Sequence, residues 1–255
     1  MNKPTFLTYE KPTLTTMVQS DTPERIEELV RLSRDAGAEA FGMQFCKLRP
    51  EFQNAKTYRR LFAAASPQPV YATFYRQGNN AGKSDEELAE GLLEIASCGA
   101  TLCDVMCDYF DAQPGEYTTD PEAVRKQKAL IERLHREGAE VLMSAHVHKF
   151  IPAERVLEIA MAHYERGADI AKIVVKANDM AEQIECMRII TLLKEKLPIP
   201  FLFLAGGECR VLRRIGDTLG NCMSLSVYEY DQYATKVQPL LRHVKAIRDN
   251  MKGDI

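Results

Sequence analysis

The sequence predicts an α/β protein of the (β/α)8 TIM barrel class, with residues 1–255 forming one domain. Short apolar, β-branched runs alternate with longer stretches of amphipathic, helical pattern along the chain. Strands that are apolar throughout, each followed by a helix, are typical of a parallel sheet covered by helices. Eight such units in about 250 residues match one barrel. A doubly wound open sheet is the alternative, but no G-x-G-x-x-G motif follows any strand.

The predicted strands are recognised in order by their apolar runs. They are TLTTMV (13–18), EAFGMQF (39–45), PVYATFY (69–75), TLCDVMC (101–107), AEVLMSA (139–145), ADIAKIVV (168–175), IPFLFLA (199–205) and CMSLSV (222–227). Helical patterns lie between them, among them residues 21–37, 84–99 and 152–167. We expect Asp21 and Ser84 to cap two of these helices, and Pro152 to lie in a first helical turn.

A Gly-Ala pair joins several predicted helices to the strands that follow. These pairs begin at Gly37, Gly99, Gly138 and Gly167. Glycine adopts the left-handed conformation that ends a helix, so each pair predicts a direct turn from helix to strand. This is a repeated joint between elements rather than a repeat of sequence.

The composition excludes several classes of function. The net charge is −3 and the basic residues are dispersed, so we expect no nucleic-acid partner. The seven cysteines form no C-x-x-C pair, which indicates reduced thiols in a cytoplasmic protein. Neither a signal peptide nor a run of membrane-spanning length is present in the pattern, so we expect no membrane partner. We also expect no cofactor.

Two consecutive strands carry reactive side chains near their carboxyl ends, where barrel enzymes place their active sites. Ser144, His146 and His148 share one face of the fifth strand, because side chains alternate along a strand. Lys172 lies inside the sixth strand, and Lys176 follows it. A lysine removed from water tends to lose its charge and become a nucleophile, so this lysine with a histidine on the next strand suggests a Schiff-base site.

Other interpretations of these residues stay open from the pattern alone. Lys172 could instead point outward and lie along the helices. His146 and His148 could share a metal ion, although this would need a carboxylate such as Asp104 or Glu229. The direction of Asp104 within the fourth strand is not indicated by the pattern. Residues 206 and 207 could present backbone N–H groups to an anion, although an ordinary turn is the simpler interpretation.

The motifs VLMSAHVHKF (141–150) and GADIAKIVV (167–175) resemble those of the type I 3-dehydroquinate dehydratases. That family has a strand ending in Ser-x-His, then a helix and GADI-x-K, on a (β/α)8 barrel. The resemblance implies that Lys172 forms the Schiff base and that His146 is the general acid and base. TFYRQGNNAG stands in place of the family's TFR…EGG, which matches Arg76 to a substrate-contacting arginine. RRIGDTLGN resembles RLAGEVFGS, which matches Arg213 to the arginine that holds the substrate carboxylate.

The sequence also departs from the family pattern. The family's Glu-x-Arg-x-Asp at the end of the second strand is replaced here by a segment that begins with Gln44. Asn80 replaces the glutamate that supports the catalytic histidine, so we expect His146 to lack a negative neighbour. The family's Ser-Ala-x-x-Gln lid has no clean counterpart in YDQYATKVQ, where Gln232 or Gln238 could substitute. We include Gln44, Asn80 and Gln232 among the substrate-binding candidates, with no residue assigned to a metal.

The resemblance therefore implies a lyase of the shikimate pathway, which serves aromatic amino acid biosynthesis. It would dehydrate 3-dehydroquinate or a related hydroxylated cyclic keto acid, its small-molecule partner, and would form a homodimer as family members commonly do. Aldol cleavage through the same lysine, as in class I aldolases, is a close variant. A barrel that binds a metabolite without turnover, and a metal-dependent hydrolase that uses the two histidines, are the alternatives from other classes.

Overall fold

The structure is a computed structural model that describes residues 4–7 and 11–251. Eight strands form one sheet: β1 (Thr13–Val18), β2 (Ala40–Gln44), β3 (Val70–Thr73), β4 (Leu102–Met106), β5 (Glu140–His146), β6 (Ile170–Ala177), β7 (Phe201–Gly207) and β8 (Met223–Ser226). Eight α-helices follow them: α1 (Pro23–Asp35), α2 (Ala55–Ala65), α3 (Asp85–Ser97), α4 (Pro121–Arg136), α5 (Ala153–Glu165), α6 (Met180–Lys196), α7 (Leu212–Leu219) and α8 (Leu241–Asn250). Short 3-10 helices cover Phe45–Lys47, Pro50–Phe52 and Gly78–Asn80.

All neighbouring strands that pair are parallel, in the order β7-β6-β5-β4-β3-β2-β1-β8. The sheet therefore curves into a nearly closed barrel, and the predicted fold class is confirmed. Cys222 N donates to Phe201 O at 2.9 Å between β8 and β7. The side chain of Asn221 accepts a hydrogen bond from Phe203 N at 2.8 Å and donates one to Phe203 O at 3.0 Å. The amide side chain of Asn221 thus extends the hydrogen bonding between β7 and β8, and we call this junction of the two strands the seam of the barrel.

The helix-to-strand joints have the backbone that the Gly-Ala pairs predict. The φ angles are 94° at Gly37, 116° at Gly99, 81° at Gly138 and 98° at Gly167. These values lie in the left-handed region, where a Cβ atom would clash with the neighbouring carbonyl. The four joints are therefore confirmed, and each returns the chain to the amino-terminal end of the next strand.

The predicted helix starts are partly confirmed. Ser84 caps α3, and it forms a reciprocal capping box with Glu87. Asp21 does not cap α1, because Thr22 occupies the capping position and the helix begins at Pro23. Pro152 directly precedes the first residue of α5 rather than lying inside its first turn.

Apolar side chains fill two regions. One cluster lies inside the barrel, with contributions that include Ala40, Leu142, Ile170 and Leu202 from successive strands. A larger cluster lies between the strands and the surrounding helices. In the described ranges, no helix is both long enough and apolar enough to cross a bilayer. Polar residues begin where the barrel interior reaches the carboxyl ends of the strands.

Candidate active site

Lys172 points into the barrel rather than outward among the helices. Its side chain lies on β6 opposite Ser144 of β5 and is almost fully buried. The Nζ atom donates hydrogen bonds to the hydroxyl of Tyr75 at 2.8 Å, the hydroxyl of Tyr71 at 3.0 Å and Asp104 Oδ2 at 3.1 Å. An ammonium group has three N–H donors, so all of them are in use.

Asp104 is the buried counterion of Lys172. Ser144 Oγ donates to its Oδ1 at 2.5 Å, and the hydroxyls of Tyr71 and Tyr75 donate to its Oδ2. Burial by itself would raise the pKa of this carboxyl, but the charge of Lys172 and these hydrogen bonds hold the pKa below its ordinary value. A carboxylate on β4 therefore faces Lys172 inside the barrel, a direction that the sequence pattern did not indicate for Asp104.

The two tyrosines act as hydrogen-bond donors in this cluster. Burial, followed by the negative charge of Asp104, raises the pKa of Tyr71 and of Tyr75 well above the ordinary phenol value. Both therefore stay protonated near neutral pH. Tyr71 is buried and Tyr75 is partly buried, and both border the open cavity above Lys172.

His146 lies at the end of β5, on the rim of the same cavity. Its Nδ1 is 2.6 Å from Glu116 Oε2, and its backbone N donates to the same oxygen at 3.1 Å. The ring of Tyr75 meets the imidazole edge-on, with centroids 5.6 Å apart. When Nδ1–H donates to Glu116, Nε2 is the nitrogen left to exchange a proton with a ligand.

Glu116 supplies the negative neighbour that we expected His146 to lack. It comes from the loop between β4 and α4, residues 107–120, and not from the segment after β3 that holds Asn80. Its φ angle of 53° is unusual for a residue other than glycine. The expectation based on Asn80 is therefore wrong, because a different loop places a carboxylate beside the imidazole.

A cavity of about 380 Å³ opens above Lys172 at the carboxyl ends of the strands. Of the predicted site residues, Lys172, His146, Arg213 and Gln44 line this cavity. Amide side chains of Gln19, Gln44, Gln77 and Gln238 and the hydroxyls of Thr73 and Thr235 also line it. None of its described lining residues is an aspartate or a glutamate.

Arg213 is a buried cation in the wall of the cavity. It lies in α7 with 7% of its surface exposed, and its Nε donates to Ala205 O at 2.9 Å. Burial, followed by the charge of Arg210, lowers the pKa of Arg213 to about 10. The guanidinium is still charged at neutral pH, and no carboxylate in the described ranges pairs with it. The site is suited to an anion supplied by a ligand.

Arg76 does not line the cavity. Its guanidinium forms ion pairs with Asp85 at 2.6 Å and with Asp108 at 2.7 Å. Side chains alternate along an extended chain, so Tyr71, Thr73 and Tyr75 face the interior while Arg76 faces away. Arg76 therefore ties the end of β3 to α3 and to the loop after β4.

Asn80 and Gln232 also lie outside the cavity lining. Asn80 is buried, and its side chain contacts Tyr75 O at 3.2 Å and Lys83 Nζ at 3.0 Å. Gln232 borders a separate surface hollow beside Asp21. Of the two glutamines considered for the lid, the structure brings Gln238 to the cavity. Gln238 Oε1 is buried and has no hydrogen-bond partner there.

Comparison with known proteins places the chain in a family. The sequence model of Type I 3-dehydroquinase matches residues 16–247. The chain belongs to the type I 3-dehydroquinase family. This match spans all eight strands except the first residues of β1, and it includes both Lys172 and His146.

Similar proteins agree with this family. A 3-dehydroquinate dehydratase from Alkaliphilus oremlandii (strain OhILAs) is 33% identical over 97 residues, which are 37% of this chain and 38% of that enzyme. The 3-dehydroquinate dehydratase structure from Geobacillus kaustophilus HTA426 has a TM-score of 0.81 at 14% identity and covers 95% of this chain and 92% of that chain. The type I enzyme of Clostridium difficile, with covalently modified comenic acid, has a TM-score of 0.81 at 14% identity, covering 96% and 94%. The two structures show that the barrel is shared.

Several residues of this 3-dehydroquinase-family site were not identified by the resemblance to the family motifs. Tyr71 and Tyr75 could have been found from strand alternation, since they share a face with Thr73. Asp104 stood out as a carboxylate inside an apolar strand, where an unpaired charge is costly. Glu116 lies in a long loop, and no local pattern predicts that it reaches His146.

Proposed function

We propose that this chain is a hydro-lyase that forms a Schiff base between Lys172 and the ketone of a hydroxylated keto acid. The observation that carries the proposal is a lysine and a carboxylate-bound histidine that line the same cavity from neighbouring strands. 3-Dehydroquinate or a related cyclic keto acid is the proposed substrate. Arg213 would hold its carboxylate through a guanidinium, which matches carboxylate geometry.

The covalent step begins when Lys172 gives up one proton, because an ammonium nitrogen has no lone pair with which to attack. The neutral Nζ then bonds to the ketone carbon, and this proton and a second one from Nζ pass to the ketone oxygen, which leaves as water. Tyr75 is placed to relay the first of them, because its hydroxyl lies 2.8 Å from Nζ and borders the cavity. The product is an iminium, so the positive charge stays on nitrogen beside Asp104.

The elimination of water then needs one group that first removes a proton and later donates it. The iminium draws electrons from the neighbouring carbon, and His146 removes a proton there to give an enamine. The enamine expels the β-hydroxyl, which takes the proton from His146 and leaves as water. Hydrolysis of the conjugated iminium returns Lys172 and releases an unsaturated keto acid. Glu116 holds the imidazole for both transfers.

Unpartnered polar groups in the cavity support a substrate that carries hydroxyls. Thr73 Oγ1 and Gln238 Oε1 are buried and have no hydrogen-bond partner in the described part of the chain. Both residues line the cavity. A buried polar atom without a partner costs about 1–3 kcal/mol, and a ligand hydroxyl would remove that cost.

Borohydride trapping tests the proposal. The protein is incubated with 3-dehydroquinate and sodium borohydride, digested and mapped by mass spectrometry. We expect a reduced adduct on Lys172, and none on Lys176, which also lines the cavity. Lys172→Arg is the matched control, because it keeps a cation beside Asp104 but forms no iminium under these conditions. Turnover of 3-dehydroquinate without any adduct on Lys172 would overturn the covalent proposal.

A barrel that binds its metabolite without turnover is the second candidate. It is favoured by one observation, which is that all three donors of Lys172 already have partners. Binding of 3-dehydroquinate with neither an adduct nor enone absorbance would support this candidate. An adduct followed by carbon–carbon cleavage would instead indicate the aldolase variant.

The proposed activity also implies a metabolic pathway, a cellular location and an oligomeric state. A 3-dehydroquinase activity would put this chain in the shikimate pathway, which serves aromatic amino acid biosynthesis, and a cytoplasmic location would suit such a biosynthetic enzyme. The homodimer stays a prediction. Light scattering on the purified protein measures the mass directly, and a 28.8 kDa particle would contradict the dimer.

A further inference from the structure

The basic side chains of the cavity lie on one side of it. Apart from Lys172 and His146, which are paired with Asp104 and Glu116, they are His148 after β5, Lys176 at the end of β6 and Arg213 in α7. The opposite side, at β1 to β3, presents neutral groups such as Gln19, Gln44 and Thr73. Positive charge is therefore concentrated on the β5–β7 side.

Two of these basic residues contact the chain at or next to Gly206. Lys176 is the strand partner of Gly206 in the β6–β7 ladder. Arg213 donates to the carbonyl of Ala205, the residue just before Gly206. A Cβ atom at Gly206 would meet only Val175 O, at 3.8 Å, which is an ordinary contact. Neither close packing nor a positive φ requires glycine at this position, and the absence of a side chain leaves space in the cavity wall.

His148 extends this group along the rim. Its imidazole lies nearly parallel to that of His146, with ring centroids 6.1 Å apart. Its φ of 57° is a conformation that non-glycine residues seldom adopt without a supporting reason. Lys176 N donates to Lys149 O at 3.3 Å, which keeps the end of β5 beside the end of β6.

No carboxylate in the described ranges pairs with Arg213 or Lys176. Removing Arg213 from water is costly, and the like charge of Arg210 adds to that cost. An anion of the ligand would offset both costs. One carboxylate can neutralise Arg213, which leaves Lys176 and His148 as donors for a second anionic group.

We propose that Lys176, His148 and the space above Gly206 form a second anion subsite, so that the substrate is a keto acid with two anionic groups. This inference rests on the proposed function for the reacting ketone and extends it to the class of substrate. The second group is a carboxylate or a phosphate-type anion, since ammonium and imidazole donors bind either. 3-Dehydroquinate, which has a single carboxylate, would leave this subsite empty.

Equilibrium binding tests the subsite with keto acids of matched length. The probes are 2-oxopentanoate, with one charge, 2-oxoglutarate, with two carboxylates, and 4-phosphono-2-oxobutanoate, with a carboxylate and a phosphonate. We expect at least one of the two dianions to bind about tenfold more tightly than the monoanion. The better of the two identifies whether the second group is a carboxylate or a phosphate-type anion.

Two substitutions test whether Lys176 and His148 produce the preference for dianions. Lys176→Gln should reduce the preference for the dianion to within about twofold, since it removes a charged hydrogen bond. His148→Asn should weaken it less, and asparagine tolerates the left-handed backbone at this position. Lys149→Gln is the matched control, because it removes an exposed charge next to His148 that does not line the cavity.

Equal binding of monoanion and dianions by the wild-type protein would overturn the subsite, as would a preference that survives Lys176→Gln. These results are separable from failure of the Schiff-base proposal. Binding is measured without borohydride, so dianion preference can be present with no adduct on Lys172. Conversely, an adduct with 3-dehydroquinate alone, without dianion preference, would support the covalent proposal and contradict the subsite.

Discussion

At the residue scale, the Asp104–Lys172 pair is the most consequential feature of the molecule. The two charges lie 3.1 Å apart with almost no exposure to solvent. A buried pair of this kind is costly to break, because removing one partner leaves an uncompensated charge. In the proposed reaction, the same carboxylate would lie beside the positively charged iminium nitrogen. Stability and chemistry therefore depend on the same two atoms.

We predict that Asp104→Asn lowers the free energy of unfolding by about 3–5 kcal/mol at neutral pH, because Lys172 loses its counterion. The double variant Asp104→Asn/Lys172→Met removes both charges and should recover most of this loss. Urea denaturation of the three proteins measures both effects. A double variant that is less stable than Asp104→Asn would contradict this explanation.

The carboxyl group of Asp104 also predicts that the free energy of unfolding depends on pH. Because its pKa in the folded protein lies below the unfolded value of about 3.9, its contribution is fully present only above about pH 5. It is lost as the pH falls through the folded pKa. The stability difference between the wild-type protein and Asp104→Asn should therefore shrink below about pH 4 and stay constant from pH 5 to 7.

Sequence reasoning identified some of these residues and missed others for physical reasons. Lys172, His146 and Arg213 were accessible because each stands in a recognisable motif on a strand or helix. Arg76 was matched by motif letters, but strand alternation turns it away from the cavity. Glu116 depends on the path of a long loop, which is determined by tertiary contacts rather than by local pattern.

At the element scale, the loop of residues 107–120 positions His146 through Glu116. Arg166, at the end of α5, is 6% exposed and reaches this loop. It donates to Cys107 O at 3.0 Å and to Thr118 O at 2.6 Å. Both ends of the loop are thus held by one guanidinium, and Glu116 lies between them.

We predict that Arg166→Met lowers kcat about 10-fold or more, because a displaced Glu116 no longer orients His146. Glu165→Gln, an exposed change at the neighbouring position of α5, serves as the control and should leave kcat unchanged. Turnover is measured together with amide hydrogen exchange across residues 107–120. Faster exchange with full activity would show that the loop does not position the imidazole.

Element boundaries were predictable to within about two residues. β1 matches its prediction, since the run TLTTMV is bounded on both sides by polar or turn-forming residues. β3 ends at Thr73, before Tyr75, because its register with β2 stops at Gln44. β6 continues to Ala177, beyond the predicted end, because β7 pairs with it as far as Gly207. Pairing with a neighbouring strand, which is not visible in a local window, decides these ends.

At the scale of the whole molecule, the barrel depends on the seam between β7 and β8. Asn221 is 3% exposed and satisfies both backbone groups of Phe203. Gly216 allows this approach, since a Cβ atom there would lie 2.5 Å from Asn221 Nδ2. The parallel sheet was predictable from eight similar units, whereas the side chain that continues its last joint was not.

We predict that Asn221→Leu lowers the free energy of unfolding by about 2–5 kcal/mol, because two buried backbone groups lose their partners. Asn250→Ala, at the end of α8, removes an exposed amide and should change stability by less than about 1 kcal/mol. Thermal and urea denaturation compare the two. An equal effect of both changes would mean that the seam contributes little to closing the barrel.

The position of the seam also determines where a bound ligand can stabilise the barrel. Arg213 sits in the helix that connects the two strands of the seam. A ligand whose two anionic groups are bound by Arg213 and by Lys176 of β6 would connect that helix to the continuously paired part of the sheet. A bound ligand would then oppose separation of β7 from β8, so that the ligand-bound protein resists unfolding and proteolysis more than the free protein.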